Sequence, residues 1–199
     1  MKVIYTKRRR KKKSKKLLLL IIIPVIAAIV AGGVLYGLDK YIRAAHPMEY
    51  AEYVEHYSGK YGLDKYMVYA FIKTESGFDP MSESNLGARG LMQIMPDTFE
   101  WIRYRLDEED SGIEFDSMYN EQDNIRYGCY LLSYLEDEFG GGLTETAAAY
   151  HAGPGSVGSW LENPDYGVNG RLAAIPNPDT AHYVDKITDA YETYCRLYK

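Results

Sequence analysis

The chain has 199 residues, with 23 Lys and Arg against 28 Asp and Glu and a formal net charge of -5, which is enough for one ordinary domain plus an appendage. Ten of the basic residues lie between Lys2 and Lys16 and no acid precedes Asp39; from Asp39 onward 13 basic residues face 28 acidic ones, a balance of -15 with His neutral. That balance excludes a nucleic-acid surface, which needs clustered cations, and Cys129 and Cys195 are too few for a disulfide scaffold and lack the paired spacing of a zinc site.

Residues 1–16 read as a basic cytoplasmic segment. Residues 17–38, Leu17 to Leu38, contain no charged side chain, and a helix of that length crosses a hydrocarbon core of about 30 Å. The basic block at its N-terminal end predicts a single-pass, N-in orientation, with lipid contact at the block and the rest of the chain on the far side. A cleaved signal peptide is the competing reading, but its apolar core would be shorter, roughly 7 to 15 residues. Residues 39–46 form a short linker that holds residues 47–199 near the membrane. Cys129 and Cys195 are either free thiols or one bridge. His46, His56, His151 and His182 lie far apart, so neither metal nor cofactor is expected.

From Pro47 apolar residues recur every three or four positions, which predicts an all-α domain with scope for a minor β-hairpin. Helices are expected near 47–57, 65–76, 90–106, 124–139, 145–151 and 180–199. Gly140 to Gly142 stop the fourth of these, and Thr144 is a candidate cap for the fifth. The acidic stretch 107–116 reads as a solvated loop. Tyr50, Tyr53, Tyr57 and Tyr61 fall at helical spacing, which favours packing over ligand contact.

The chemistry is concentrated after an apolar helix that ends in Glu75. Ile72, Phe71 and Val68 lie three, four and seven residues before it, so an apolar face leads to the carboxyl group. Such surroundings raise a carboxyl pKa by desolvation and suit a general acid. Ser84, Asn85, Leu86, Gly87, Ala88, Arg89, Gly90, Leu91, Met92, Gln93, Ile94, Met95 and Pro96 follow, with glycines placed for a tight turn.

Together these segments resemble the soluble lytic transglycosylase family, whose pattern is a Glu-Ser pair, an aromatic, a Pro, then Ser, Gly-Ala and Gly-Leu-Met-Gln. Further blocks recur in order: Asn124, Ile125, Gly128, Tyr130 and Leu131; then Ala149, Tyr150, His151, Ala152 and Gly153; then Pro178, Asp179, Thr180, Tyr183 and Val184. The resemblance covers roughly residues 61–187. It implies a lysozyme-like α domain that cleaves peptidoglycan glycan strands, with Glu75 as acid and base. Ser84, Gln93, Met95, Tyr150 and His151 would line the sugar groove, and Asp179 and Tyr183 would close its other side.

Three departures stand out: His151 replaces the family's usual Asn, Asp179 its usual Glu, and Asn120-Glu121 its usual Asp-Pro. A histidine there predicts a pH-sensitive activity. Ordinary glycosidases use two carboxyl groups, and the motifs supply one. The resemblance implies instead that the C6 hydroxyl of N-acetylmuramic acid attacks C1 and leaves a 1,6-anhydro end. Two alternatives stand beside this: a goose-lysozyme-like hydrolase that uses water and a second acid such as Asp79, Glu83, Asp97 or Asp179, and a non-catalytic wall-binding protein. Partners implied are peptidoglycan glycan strands, membrane lipid, and wall-synthesis or secretion machinery, with no nucleic acid.

Overall fold

The computed structural model describes residues 11–199, with side chains from Leu18 onward. The basic segment 1–16 therefore lies outside the described residues up to position 10, and outside the described side chains beyond it. Two compact units divide at Pro47. The first is α1 (Lys11–Ala45), which contains Pro24. Residues 18–45 are long and apolar enough to cross a membrane, and none of the defining window is buried within the protein. The helix continues to Ala45, so the stretch expected to be a linker is helical almost to its end.

The second unit is helical: α2 (Ala51–Tyr61), α3 (Lys65–Glu75), α4 (Pro96–Arg105), a 3-10 turn at Phe115–Tyr119, α5 (Glu121–Glu138), α6 (Leu143–Ala152), α7 (Pro154–Glu162) and α8 (Pro178–Tyr198). The centre is α3, where every residue from Tyr66 to Ile72 is buried. A helix apolar on all sides belongs inside a core, and α3 packs chiefly against α8. Asp64 starts it by accepting the Tyr66 backbone N–H at 2.9 Å, one of the donors that a helix leaves unpaired at its N-terminus. Tyr57 is buried, while Tyr50, Tyr53 and Tyr61 are half-buried against the core, consistent with packing roles.

Several local expectations change. The expected helix from residue 90 begins only at Pro96, because Gln93 has φ 47 and Met95, which precedes the proline, is extended at φ -76, ψ 151. The cap of α6 is Gly142, without a side-chain bond, and not Thr144. Helix α7 is an additional element, while β1 (Gly167–Val168) and β2 (Arg171–Leu172) form the minor hairpin for which the sequence left room; the strands pair antiparallel, with Gly167 opposite Leu172. Asn169 and Gly170, at φ 52 and φ 73, form the left-handed pair that a two-residue hairpin requires. Buried Glu145 on α6 anchors the hairpin, accepting from Leu172 N at 2.8 Å and Arg171 Nη1 at 3.2 Å. The acidic stretch is not wholly solvated either, since Glu108 pairs with Arg126 and accepts from the Tyr127 hydroxyl. Cys129 and Cys195 are free thiols, the former buried.

Candidate active site

Glu75 is the last residue of α3, so its side chain leaves the core where the helix stops. It is half-buried. Burial pushes its pKa up from 4.5 to about 7, against the opposing pull of a hydrogen bond from the Tyr183 hydroxyl. Desolvation wins because the carboxylate would lose more hydration than one phenol returns. Tyr183 sits on α8, the helix packed against α3, and is itself pushed well above the ordinary tyrosine range by burial and by the charge of Glu75. It therefore stays a neutral donor at any pH where the protein works. A carboxyl group poised near neutrality can both give and take a proton.

Tied to Ser76, the residue after Glu75, is the turn 89–94, whose backbone is held by Ser76 and by side chains from α5 and α6. Ser76, just beyond α3, donates to Leu91 O at 2.9 Å. From α5, fully buried Asn124 accepts from Met92 N at 2.7 Å and donates to Arg89 O and Met118 O, each at 2.9 Å. From α6, the Tyr150 hydroxyl donates to Met92 O at 2.6 Å. Gly90 has φ 76, and a Cβ there would lie 2.0 Å from Met118 O and 2.3 Å from Asn124 Nδ2, so only glycine fits.

The groove candidates fall into different roles. The Ser84 hydroxyl accepts from Ala88 N at 3.0 Å and Leu86 N at 3.2 Å, closing its own turn. The Gln93 amide donates to Gly90 O at 2.9 Å and Ser82 O at 3.1 Å, holding the same loop. Met95 is 38% exposed and precedes α4. Tyr150 meets Phe71 edge-on at 4.9 Å. The His151 ring lies 4.7 Å from that of Tyr183. These two therefore join the Glu75 cluster, whereas Asp179 is exposed on the first turn of α8. In the sequence Ser76, Asn124 and Thr180 stand only within motifs, with no role of their own. The Asn-Ile block marks Asn124; what it clamps lies 32 residues away.

Beside Tyr150 a cavity of about 340 Å³ is lined by Asp97, Thr98, Trp101, Leu131, Tyr134 and Pro154, among others. Its walls are mostly apolar, with Asp97 and Thr98 among the lining. Trp101 and Tyr134 meet edge-on at 4.8 Å, and the Arg105 guanidinium lies over both rings, so the aromatic wall is preset.

A family profile described as "Transglycosylase SLT domain" matches residues 52–167, more than half of the chain. That range includes Glu75, the 89–94 turn, Asn124, Tyr150 and His151; Asp179 and Tyr183 lie beyond it. The soluble lytic murein transglycosylase of Escherichia coli (strain K12) is 30% identical over 158 residues, covering 76% of this chain and 24% of the relative. The membrane-bound lytic murein transglycosylase C of Actinobacillus pleuropneumoniae serotype 5b (strain L20) is 25% identical over 169 residues, covering 75% of this chain and 46% of the relative. The crystal structure of the 70 kDa soluble lytic transglycosylase from Escherichia coli superposes with a TM-score of 0.73 at 26% identity, over 86% of this chain and 27% of that one. The chain thus spans about a quarter of the length of the Escherichia coli relative and under half of the Actinobacillus one.

Proposed function

This chain belongs to the transglycosylase SLT domain family, and from that premise we propose that its 48–199 unit cleaves peptidoglycan glycan strands between N-acetylmuramic acid and N-acetylglucosamine, leaving 1,6-anhydro ends. The observation that carries this reading is the desolvated carboxyl of Glu75, with its pKa raised to about 7 and a neutral tyrosine as its hydrogen-bond donor. Of the other acids with a claim to the chemistry, Glu83 and Asp79 are engaged elsewhere, while Asp97 lines the cavity beside Tyr150 and is exposed. Glu83 is held by Arg89 and by the Tyr119 hydroxyl. Asp79 accepts from Met81 N in its own turn, and Asp179 is exposed.

In the proposed reaction protonated Glu75 gives its proton to the glycosidic oxygen as the C1–O bond breaks. The resulting carboxylate then accepts the proton of the muramic acid C6 hydroxyl, whose oxygen bonds to C1. Atoms balance without water, and Glu75 ends as it began. Acid and base action of this kind is worth roughly 10² to 10⁴ in rate; holding the sugar so that its own hydroxyl faces C1 supplies proximity. The cavity between Tyr150 and Trp101 takes a neighbouring sugar, because an apolar wall interrupted by Asp97 and Thr98 suits a pyranose ring.

Helix α1 anchors the chain in a membrane with its basic end cytoplasmic, a reading supported by its length and composition and by the membrane-bound relative. Mass spectrometry of products released from purified sacculi tests the chemistry. An anhydro end is one water lighter than a hydrolysed one, and finding only hydrolysed ends overturns the proposal.

A further inference from the structure

The ring of Tyr183, whose hydroxyl donates to Glu75, is contacted from two sides. Phe71 on α3 meets it edge-on, with centroids 6.5 Å apart and planes at 68°. On α6, His151 lies along it at 4.7 Å, with planes inclined by 32°. The imidazole is in turn fixed at its edge, with Nδ1 3.1 Å from the Thr180 hydroxyl. Thr180 is fully buried and lies three residues before Tyr183, hence on the same face of α8. The end of α6 and the first turns of α8 are thereby joined through one ring, by its face and by its edge.

We propose that His151 and Thr180 are a positioning pair for Tyr183, keeping the phenol hydroxyl directed at the Glu75 carboxyl group; the inference rests on the catalytic role proposed for Glu75 and assigns His151 a task other than contact with sugar. The physical basis is that a hydrogen bond to a carboxylate is worth its strength only while donor and acceptor stay aligned. A phenol able to swing about its side-chain torsions returns less to the charge than one held between two rings. The titratable groups facing Tyr183 are Glu75 from α3 and Tyr150 and His151 from α6. Tyr150, pushed well above its usual range by burial, stays neutral like Tyr183. The pair therefore acts on Glu75 through the geometry of one donor.

The direction follows. Tyr183's bond favours the charged form of Glu75, so loosening it raises the proton affinity of the carboxyl group. The test titrates Glu75 directly in the full chain, held in detergent micelles with ¹³C-labelled glutamate, the Glu75 resonance being identified by its loss in Glu75→Gln. His151→Ala and Thr180→Val should each move the titration midpoint up by about half a pH unit or more, in the direction expected for Tyr183→Phe. Thr180→Ser, which keeps the hydroxyl, should leave it in place. In the Tyr183→Phe background His151→Ala should add nothing, since the two act in series.

An unmoved midpoint in both His151→Ala and Thr180→Val overturns the proposal, as does a full additional shift in the Tyr183→Phe background. Activity on sacculi gives a second reading. The alkaline limb of kcat/KM should follow the midpoint while KM holds; a raised KM with an unmoved midpoint would make His151 a sugar contact and overturn the assignment. Thr180→Val carries the test alone if His151→Ala fails to fold. Because the titration is read without turnover, its outcome is separate from whether the product is an anhydro sugar.

Discussion

Replacing Glu75 by Gln should abolish turnover and at the same time make the protein harder to unfold, by an amount that depends on pH. In the folded chain the carboxyl pKa lies near 7 instead of 4.5, so the native state holds this proton more tightly than the unfolded state. As pH rises from about 4.5 to about 7 the unfolded chain ionises freely while the folded one must ionise a desolvated group. Stability is lost across that window and levels off above it. At about 1.4 kcal/mol per pKa unit the loss reaches at most about 3 kcal/mol above pH 7 and is under about 1 kcal/mol at pH 5.

Gln has the same shape, can still accept from Tyr183 and never ionises, so the variant should recover that difference. For a domain of this size each kcal/mol moves Tm by about 2 to 4 °C. Thermal unfolding followed by near-ultraviolet circular dichroism should then show a gain of roughly 6 to 12 °C at pH 8 and about 3 °C or less at pH 5. An equal gain at both pH values, or none at pH 8, would show that the carboxyl group is not desolvated and would refute the reasoning. Such stabilisation on removing a functional group is the trade expected where a site holds an unfavourable charge.

Three further outcomes follow. Because Glu75 must enter the reaction protonated, kcat/KM on sacculi should fall tenfold per pH unit above about pH 7; a profile flat to pH 9 would contradict this. Asn124→Ala removes three buried hydrogen bonds from the 89–92 and 118 backbone and should cost about 3 kcal/mol or more in urea unfolding, with activity falling in the fraction that stays folded; a loss under about 1 kcal/mol would mean that the turn stands without this clamp. Trp101→Ala should raise KM about fivefold with kcat nearly unchanged, the mark of binding felt equally in ground and transition states; an unchanged KM would empty the cavity of its sugar.

Helix α3 and the desolvation of Glu75 were readable because both follow from local rules: an unbroken apolar stretch makes α3 a central helix, and its last residue inherits a desolvated position. The start of α4 was readable in principle, since Pro96 favours an extended Met95 and excludes a helix running through from residue 90. The hairpin had its marker in Asn169-Gly170. Helix α7 was hidden because Gly153, Pro154, Gly155 and Gly158 read as loop; what rescues it is Pro154 at its first position and the burial of Val157. The clamps at Ser76, Asn124 and Thr180 were beyond reach, because each spends its side chain on a partner that becomes a neighbour only after the helices dock.

The turn tied to Ser76 is also clamped by Asn124 and Tyr150, from helices separated from it by dozens of residues along the chain. A nascent or partly opened copy, with α3 formed but α5 or α6 still loose, would present an acid without that clamped turn. Under the function proposed above, cutting would therefore await the docking of α5 and α6 and would be lost when either one opens.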